Sequence, residues 1–146
     1  MRCINIPLAQ TGEIHKLTAD YLSGKPDLRE FYAFEPSISG IGEAIESRKQ
    51  FPVDRTALVD ALTAQYSKTK GAALDNPANA VTNNQVKSLL SENTFTITTG
   101  HQLNIFTGPL YYIYKLISII QYTEALNKQY PDCHFVPVFL VGLRRP

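Results

Sequence analysis

The sequence predicts an α/β protein in which a helical amino-terminal region, residues 1–92, precedes the start of a parallel β-sheet, residues 93–146. Before residue 92, apolar side chains recur every three or four positions, a spacing typical of amphipathic helices. At residues 94–99 the pattern changes to the β-branched and aromatic run TFTITT, which favours a strand. A long apolar helix and a second strand, HFVPVFLV at residues 134–141, follow. A strand, a helix and a strand in this order form the βαβ unit of parallel sheets.

Four helices are predicted in the amino-terminal region. Their expected spans are residues 13–22, 39–50, 55–70 and 77–92. Asp54 is a suitable N-cap for the third helix, and Asn76 followed by Pro77 can begin the fourth. An aromatic cluster between the first two helices is expected to form a short helix or turn and to fill the core: Phe31, Tyr32 and Phe34.

The predicted sheet is incomplete. Two apolar parallel strands need further strands and a covering layer on both faces, yet only GLRRP follows the second strand. We therefore expect a truncated reading frame. Pro137 within the second strand indicates an edge or a bulge, because proline lacks the N–H that a central strand donates.

Composition excludes several classes of function. With 14 basic and 13 acidic residues the net charge is +1, so we expect neither nucleic acid nor an anionic membrane as partner. The start of the chain does not resemble a signal peptide, and the apolar run at residues 110–120 is too short to span a bilayer. We expect a cytoplasmic protein with a small-molecule ligand. Cys3 and Cys133 lie in no metal-binding motif, and we predict no metal site.

The connection GHQLNIFTGP, residues 100–109, is the candidate functional segment. Strand-to-helix loops are usually shorter, about 2–6 residues. The loop leads from the carboxyl end of a strand to the amino end of a helix that Pro109 suits as first residue, a place that favours anions and ligands of α/β sheets. Its glycines permit close approach of the backbone to a ligand, and its polar side chains offer hydrogen bonds: Gly100, His101, Gln102, Asn104, Thr107 and Gly108. The pattern matches neither the dinucleotide-binding nor the P-loop motif.

Lys115 lies on a polar stripe of the following helix with Tyr111, Ser118 and Tyr122. Helical side chains lean towards the amino terminus, so Lys115 can reach back about one turn towards the expected anion site. Two alternatives stay open: Lys115 extends into solvent or pairs with an acid. His101 can equally be a structural histidine.

The run TITTGHQLNIFTGPLYYIYKLIS, with VPVF after it and DYLSGKPDLREFYAFEP and LVDALTAQY before it, resembles a known family. It is similar to the amino-terminal part of the bacillithiol biosynthesis cysteine-adding enzymes, called BshC. The resemblance extends from about Pro7 to Phe139 and covers only a minor part of a typical family member.

The resemblance implies a Rossmann-like core with a long coiled coil, in a homodimer. It implies a ligase that joins the carboxyl group of cysteine to the amine of glucosaminyl malate, with activation by ATP or another nucleotide. Residues matching the family's loop and helix start would then be catalytic (His101 and Gln102) or would bind substrate or nucleotide, the latter set being Gly100, Asn104, Thr107, Gly108 and Lys115.

The chain also departs from the family. After VPVF, family members continue with an acidic E-D-H-D type motif, whereas LVGLRRP stands here. The alternative function is therefore a non-catalytic remnant that binds a small anion or a partner chain.

Overall fold

The computed structural model describes residues 4–69, 71–104 and 108–142. These residues form two compact units, Met1–Phe51 and Pro52–Pro146. The α-helices are α1 (Lys16–Leu22), α2 (Ile38–Lys49), α3 (Arg55–Ser67), α4 (Ala80–Ser88) and α5 (Leu110–Gln129). The strands are β1 (Thr94–Gln102) and β2 (His134–Gly142), and short 3₁₀ helices occupy Leu8–Gln10, Pro26–Phe31 and Pro77–Asn79.

In the first unit, side-chain caps fix the helix starts. The Nδ1 atom of His15 accepts the backbone N–H of Leu17 at 3.2 Å to begin α1, and the Ser37 hydroxyl accepts that of Gly40 at 3.1 Å to begin α2. Gly40 is buried, and a Cβ there would overlap the carbonyl oxygen of Glu35. Close packing therefore explains a glycine that weakens α2 by its low helix propensity.

The prediction that the aromatic cluster fills the core is wrong. Phe31 ends a 3₁₀ helix with 75% of its surface exposed, and Tyr32 and Phe34 are only partly buried. Tyr32 instead packs edge-on against Tyr21 of α1, with ring centroids 5.0 Å apart. Phe31 and Tyr32 line an apolar groove of about 780 Å³ with Leu17, Tyr21 and Leu28.

Lys25 and Lys16 hold the Asp20 carboxylate near the end of α1, at 2.8 and 2.9 Å. Hydrogen bonds from Lys25 and then Lys16 place the pKa of Asp20 below its ordinary value. The stability that these ion pairs contribute is therefore fully present above the pKa that Asp20 has in the unfolded chain. It is lost as the pH falls through the lower pKa of Asp20 in the folded chain. Because both lysine side chains are exposed to solvent, the contribution of these ion pairs to stability is small.

In the second unit, β1 and β2 pair in parallel without a bulge, from Thr94 opposite His134 to Gln102 opposite Gly142. The predicted α/β class and βαβ unit are confirmed. β1 is longer than the predicted 94–99, because residues 100–102 continue the pairing with β2.

Adjacent residues of β2 pack on opposite faces of this sheet, as the strand pleat requires. Val136 joins the core that α3 and α4 build with Val59, Val86 and Leu89. Phe135 lies on the side of the sheet that α5 covers, and the centroid of its ring is 6.1 Å from that of Tyr130. The described sheet is therefore covered on both faces, by α3 and α4 on one side and by α5 on the other.

Two non-local contacts tie these layers together. The Arg55 guanidinium at the start of α3 donates to three backbone carbonyl oxygens, those of Leu89 at 2.9 Å, Thr94 at 3.1 Å and Glu92 at 3.2 Å. Arg55 therefore connects α3 to the segment between α4 and β1. In α5, the Asn127 side chain accepts the N–H of Phe135 at 2.8 Å and donates to its carbonyl oxygen at 3.1 Å.

These bonds also explain Pro137. His134 donates its N–H to Asn93, at the start of β1, so the N–H of Phe135 points away from β1. Pro137 lies two residues after Phe135, so the backbone nitrogen of Pro137 also points away from β1. The missing N–H of Pro137 therefore interrupts no hydrogen bond to β1. Pro137 thus faces an edge, as the sequence predicts.

The boundary between the compact units lies after Phe51, because α3 and α4 pack on the sheet. The division at residue 92 marks where the strands begin, and as a domain boundary it stays a prediction. Within the described ranges, no helix is long and apolar enough to cross a bilayer.

Asn127→Ala removes both hydrogen bonds to Phe135 and is expected to lower the free energy of unfolding by about 1–3 kcal/mol, since each contributes ~0.5–1.5 kcal/mol. Asn127→Asp keeps an acceptor for the N–H and should lose about half as much. Urea denaturation followed by circular dichroism measures both, with the exposed Lys128→Ala as control. Equal stability of Asn127→Ala and the control would contradict the role of Asn127.

Candidate functional site

The candidate site lies where the carboxyl end of β1 meets the first turns of α5. The structure corrects the predicted loop, because Gly100, His101 and Gln102 belong to β1 rather than to the connection. Pro109 is the N-cap of α5 rather than its first residue, and its own side chain makes no capping hydrogen bond. The connection is therefore shorter than the sequence predicts, and His101 is held by sheet pairing opposite Val141.

His101 lies on the α5 face of the sheet and contacts the start of α5 directly. Its Nε2 atom is 2.6 Å from the hydroxyl oxygen of Tyr111. The rings of Tyr111 and Tyr112 meet the imidazole edge-on, with centroids 5.1 and 5.6 Å away. Tyr112 in turn packs on Phe139 of β2 at 5.1 Å. An aromatic surface on two sides thus fixes the orientation of the imidazole.

The other ring nitrogen of His101 faces Asn104. The amide nitrogen of Asn104 is 2.7 Å from Nδ1 of His101 and 2.9 Å from the carbonyl oxygen of Gln102, which is itself 2.9 Å from Nδ1. Gly108 has a φ of +68°, and a Cβ there would be 2.8 Å from the Cβ of Asn104. Glycine is therefore required at position 108 both for its backbone conformation and for the position of Asn104.

Lys115 reaches back along α5, in the direction that the sequence predicts. Its ammonium group donates to the carbonyl oxygen of Gly100 at 3.3 Å and lies 5.6 Å from the centroid of the Tyr111 ring. Lys115 is partly buried, so the alternative of a side chain that extends into solvent does not describe it. These contacts do not test whether Lys115 binds a ligand, and that role stays a prediction.

An open groove of about 430 Å³ runs between β1 and α5 beside this cluster. We call it the β1–α5 groove. Its lining includes Ile97, Thr99, Tyr111, Tyr114, Lys115 and Tyr122. The groove is largely apolar and aromatic, and Tyr111 and Lys115 are among the residues that bring polar groups to its lining.

The remaining predicted site residues are not all brought together. Strand alternation places the side chain of Gln102, which is exposed, on the opposite face from His101. Thr107 lies outside the described residues. Among the residues that the structure describes, no group of three His, Cys, Asp or Glu side chains could hold a metal ion.

The sequence prediction missed Tyr111 as a site residue, although Tyr111 was placed on the polar stripe with Lys115. A tyrosine one turn before a lysine on an otherwise apolar helix was the available indication. Its partnership with His101, ten positions earlier, depends on how α5 packs against the end of β1.

Comparison with known proteins shows the family to which this chain belongs. The family model described as "Bacillithiol biosynthesis BshC, N-terminal Rossmann-like domain" matches residues 1–143. The chain belongs to the BshC family. A relative from Cytophaga hutchinsonii, named "Putative cysteine ligase BshC", is 42% identical over 134 residues, which are 92% of this chain and 24% of the relative.

Other BshC relatives match over a similar span. A protein of that name from Flavobacterium psychrophilum is 42% identical over 137 residues, and one from Bacillus cereus is 27% identical over 126 residues. These matches cover 24% and 22% of the respective relatives. The chain thus spans about a quarter of the length of the BshC proteins it matches. The resemblance and the Rossmann-like fold that the sequence indicates are confirmed.

Gly100→Ala is expected to destabilise the end of β1, because a Cβ there would lie 2.9 Å from the carbonyl oxygen of Leu140 in the paired strand. We expect a loss of about 1–3 kcal/mol in the free energy of unfolding, the usual cost of overpacking. Gly142→Ala is the matched control, since its added Cβ meets nothing within 4 Å. Chemical denaturation of both variants tests this, and a Gly100→Ala variant as stable as the control would refute it.

Proposed function

We propose that this chain is the amino-terminal part of a ligase that joins cysteine, through its carboxyl group, to the amine of glucosaminyl malate, forming bacillithiol. Membership of the BshC family supports a ligase of bacillithiol biosynthesis. The observation that carries the proposal is the hydrogen-bonded His101–Tyr111 pair at the carboxyl end of β1. This end of a parallel strand is where α/β sheets bind their ligands.

The proposed reaction requires an activated acyl group, because amide formation from a free carboxylate is unfavourable. An adenylate made from ATP, or activation by another nucleotide, is the proposed route. Negative charge on the transferred acyl and phosphate oxygens would need fixed hydrogen-bond donors. Support comes from the Tyr111 hydroxyl, the Lys115 ammonium and the backbone N–H groups in the first turn of α5, which together offer such donors.

Several properties of the whole enzyme belong to the same proposal. We propose a cytoplasmic homodimer with a coiled coil, acting on small molecules without nucleic acid, membrane or metal as partner. Gly100, Asn104, Thr107 and Gly108 would shape the binding site, and Gln102 would contribute from the other face of the sheet.

A second candidate is a non-catalytic module that binds a small anion or a partner chain. It is favoured by the exposed apolar side chains of α5, which recur every three or four positions and are Leu110, Ile113, Tyr114, Ile117 and Ile120. A helix with such a stripe has apolar surface available for another chain.

His101→Ala and Gln102→Ala in a full-length enzyme carrying this segment should each reduce kcat/KM for cysteine ligation by about 10²-fold or more, the range for loss of a positioned catalytic group. His134→Ala is the control, because His134 is exposed at the opposite end of the sheet. Thr107→Ala should be milder, because loss of a helix cap costs only ~0.5–2 kcal/mol. Normal turnover by both site variants would assign the segment a structural role.

The 146-residue chain by itself is expected not to ligate cysteine. Sites at the carboxyl ends of parallel strands are assembled from several loops, and among the described elements only β1 is followed by a helix, α5. Incubation of the purified chain with cysteine, glucosaminyl malate and ATP, followed by mass spectrometry, tests this expectation. Bacillithiol formation above a no-protein control would show that the residues of this chain suffice.

A further inference from the structure

We propose that Tyr111, rather than His101, presents the hydrogen-bond donor to the carboxyl oxygen of the amino-acid substrate, and that His101 is a positioning residue behind it. This inference rests on the proposed ligase function. It assigns a role to a side chain that the sequence prediction did not include in the site.

Asn104 determines where the proton of neutral His101 lies. The Asn104 amide nitrogen, which can only donate, is 2.7 Å from Nδ1, so Nδ1 acts as acceptor. In this orientation the amide donates to both Nδ1 and the Gln102 carbonyl oxygen, and these two acceptors lie 2.9 Å apart; turning the amide over would set its own oxygen about 2.9 Å from the Gln102 oxygen and would lose both N–H donations. Protonation of Nδ1 would satisfy its 2.9 Å contact with Gln102 but would oppose an N–H to the amide at the shorter distance. The ring proton is therefore assigned to Nε2.

An Nε2–H then donates to Tyr111. The 2.6 Å separation is that of a strong hydrogen bond, and it uses a lone pair of the Tyr111 oxygen. The hydroxyl proton of Tyr111 must consequently point away from the imidazole. A hydroxyl that accepts one hydrogen bond becomes a stronger donor in the next, because the bonds polarise one another.

The surroundings of Tyr111 fit a bound oxygen that carries negative charge. Half of the Tyr111 surface is exposed, and the side chain lines the β1–α5 groove. The Lys115 ammonium donates to the Gly100 carbonyl oxygen and lies 5.6 Å from the centroid of the Tyr111 ring, so positive charge lies over the ring that carries the hydroxyl. In contrast, Nδ1 of His101 accepts from Asn104 and Nε2 donates to Tyr111, which leaves neither nitrogen as a free base.

The first test reads the tautomer and needs no activity. Long-range ¹H–¹⁵N spectra of histidine-labelled chain at pH 8 report three histidines, and His15 is an internal reference because its Nδ1 also accepts an N–H. We expect His101 as the Nε2–H form. Asn104→Asp replaces the donor with an acceptor and should move the proton to Nδ1, whereas Tyr111→Phe should leave the Nε2–H form in place. An Nδ1–H parent, or no change in Asn104→Asp, overturns the inference.

The second test compares variants of the full-length enzyme. Tyr111→Phe should lower kcat by about 10²–10³-fold, the usual effect of removing one oxyanion donor. His101→Gln keeps an N–H near the Nε2 position and should retain activity within about tenfold of the parent, unlike His101→Ala, since a single hydrogen bond is restored. The Tyr111→Phe, His101→Ala double variant should be no slower than Tyr111→Phe.

These outcomes separate this inference from the proposed function. If His101→Gln is as inactive as His101→Ala, or if Tyr111→Phe is fully active, Tyr111 is not the donor although the enzyme is a ligase. If the parent enzyme does not ligate cysteine at all, the proposed function fails, and the tautomer measurement still decides whether Asn104 and His101 direct the Tyr111 proton.

Discussion

The in-register parallel pairing of β1 with β2 is the constraint on which the rest of the second unit depends. Because the register runs unbroken from Thr94 to Gln102, every side chain on β1 has an assigned face. Phe95 and His101 are placed on the side of α5, and Thr94 is placed towards α3 and α4. A slip of one residue would exchange these faces, so the same pairing that builds the core also places the imidazole against α5.

Local sequence rules were sufficient for the elements that are stabilised locally. Asp54 caps α3 through the N–H of Ala57, and Asn76 caps the turn that begins at Pro77, as their side chains predict. The period change at residue 94 located β1, and Pro109 located the start of α5 to within one residue. Each of these features involves neighbours only a few positions apart, which is why composition and spacing were informative.

The errors of sequence interpretation arose where distant residues decide. Gly-His-Gln at 100–102 has little strand preference, and its extended conformation comes from pairing with residues 140–142. Phe31 is apolar but lies on a short 3₁₀ helix whose position leaves it exposed. In the site, loop composition indicated His101 and Asn104, whereas the contact between His101 and Tyr111 requires the end of β1 and the start of α5 to lie side by side.

The edge of β2 that faces away from β1 restricts where a further strand could pair with the sheet. Asn127 occupies both backbone groups of Phe135 on that side, and Pro137 has no hydrogen to offer. An added strand would find its first available donor at Phe139, close to the level of the imidazole. The first half of β2 therefore disfavours pairing with a further strand, whereas the half nearest the candidate site can still form backbone hydrogen bonds to one.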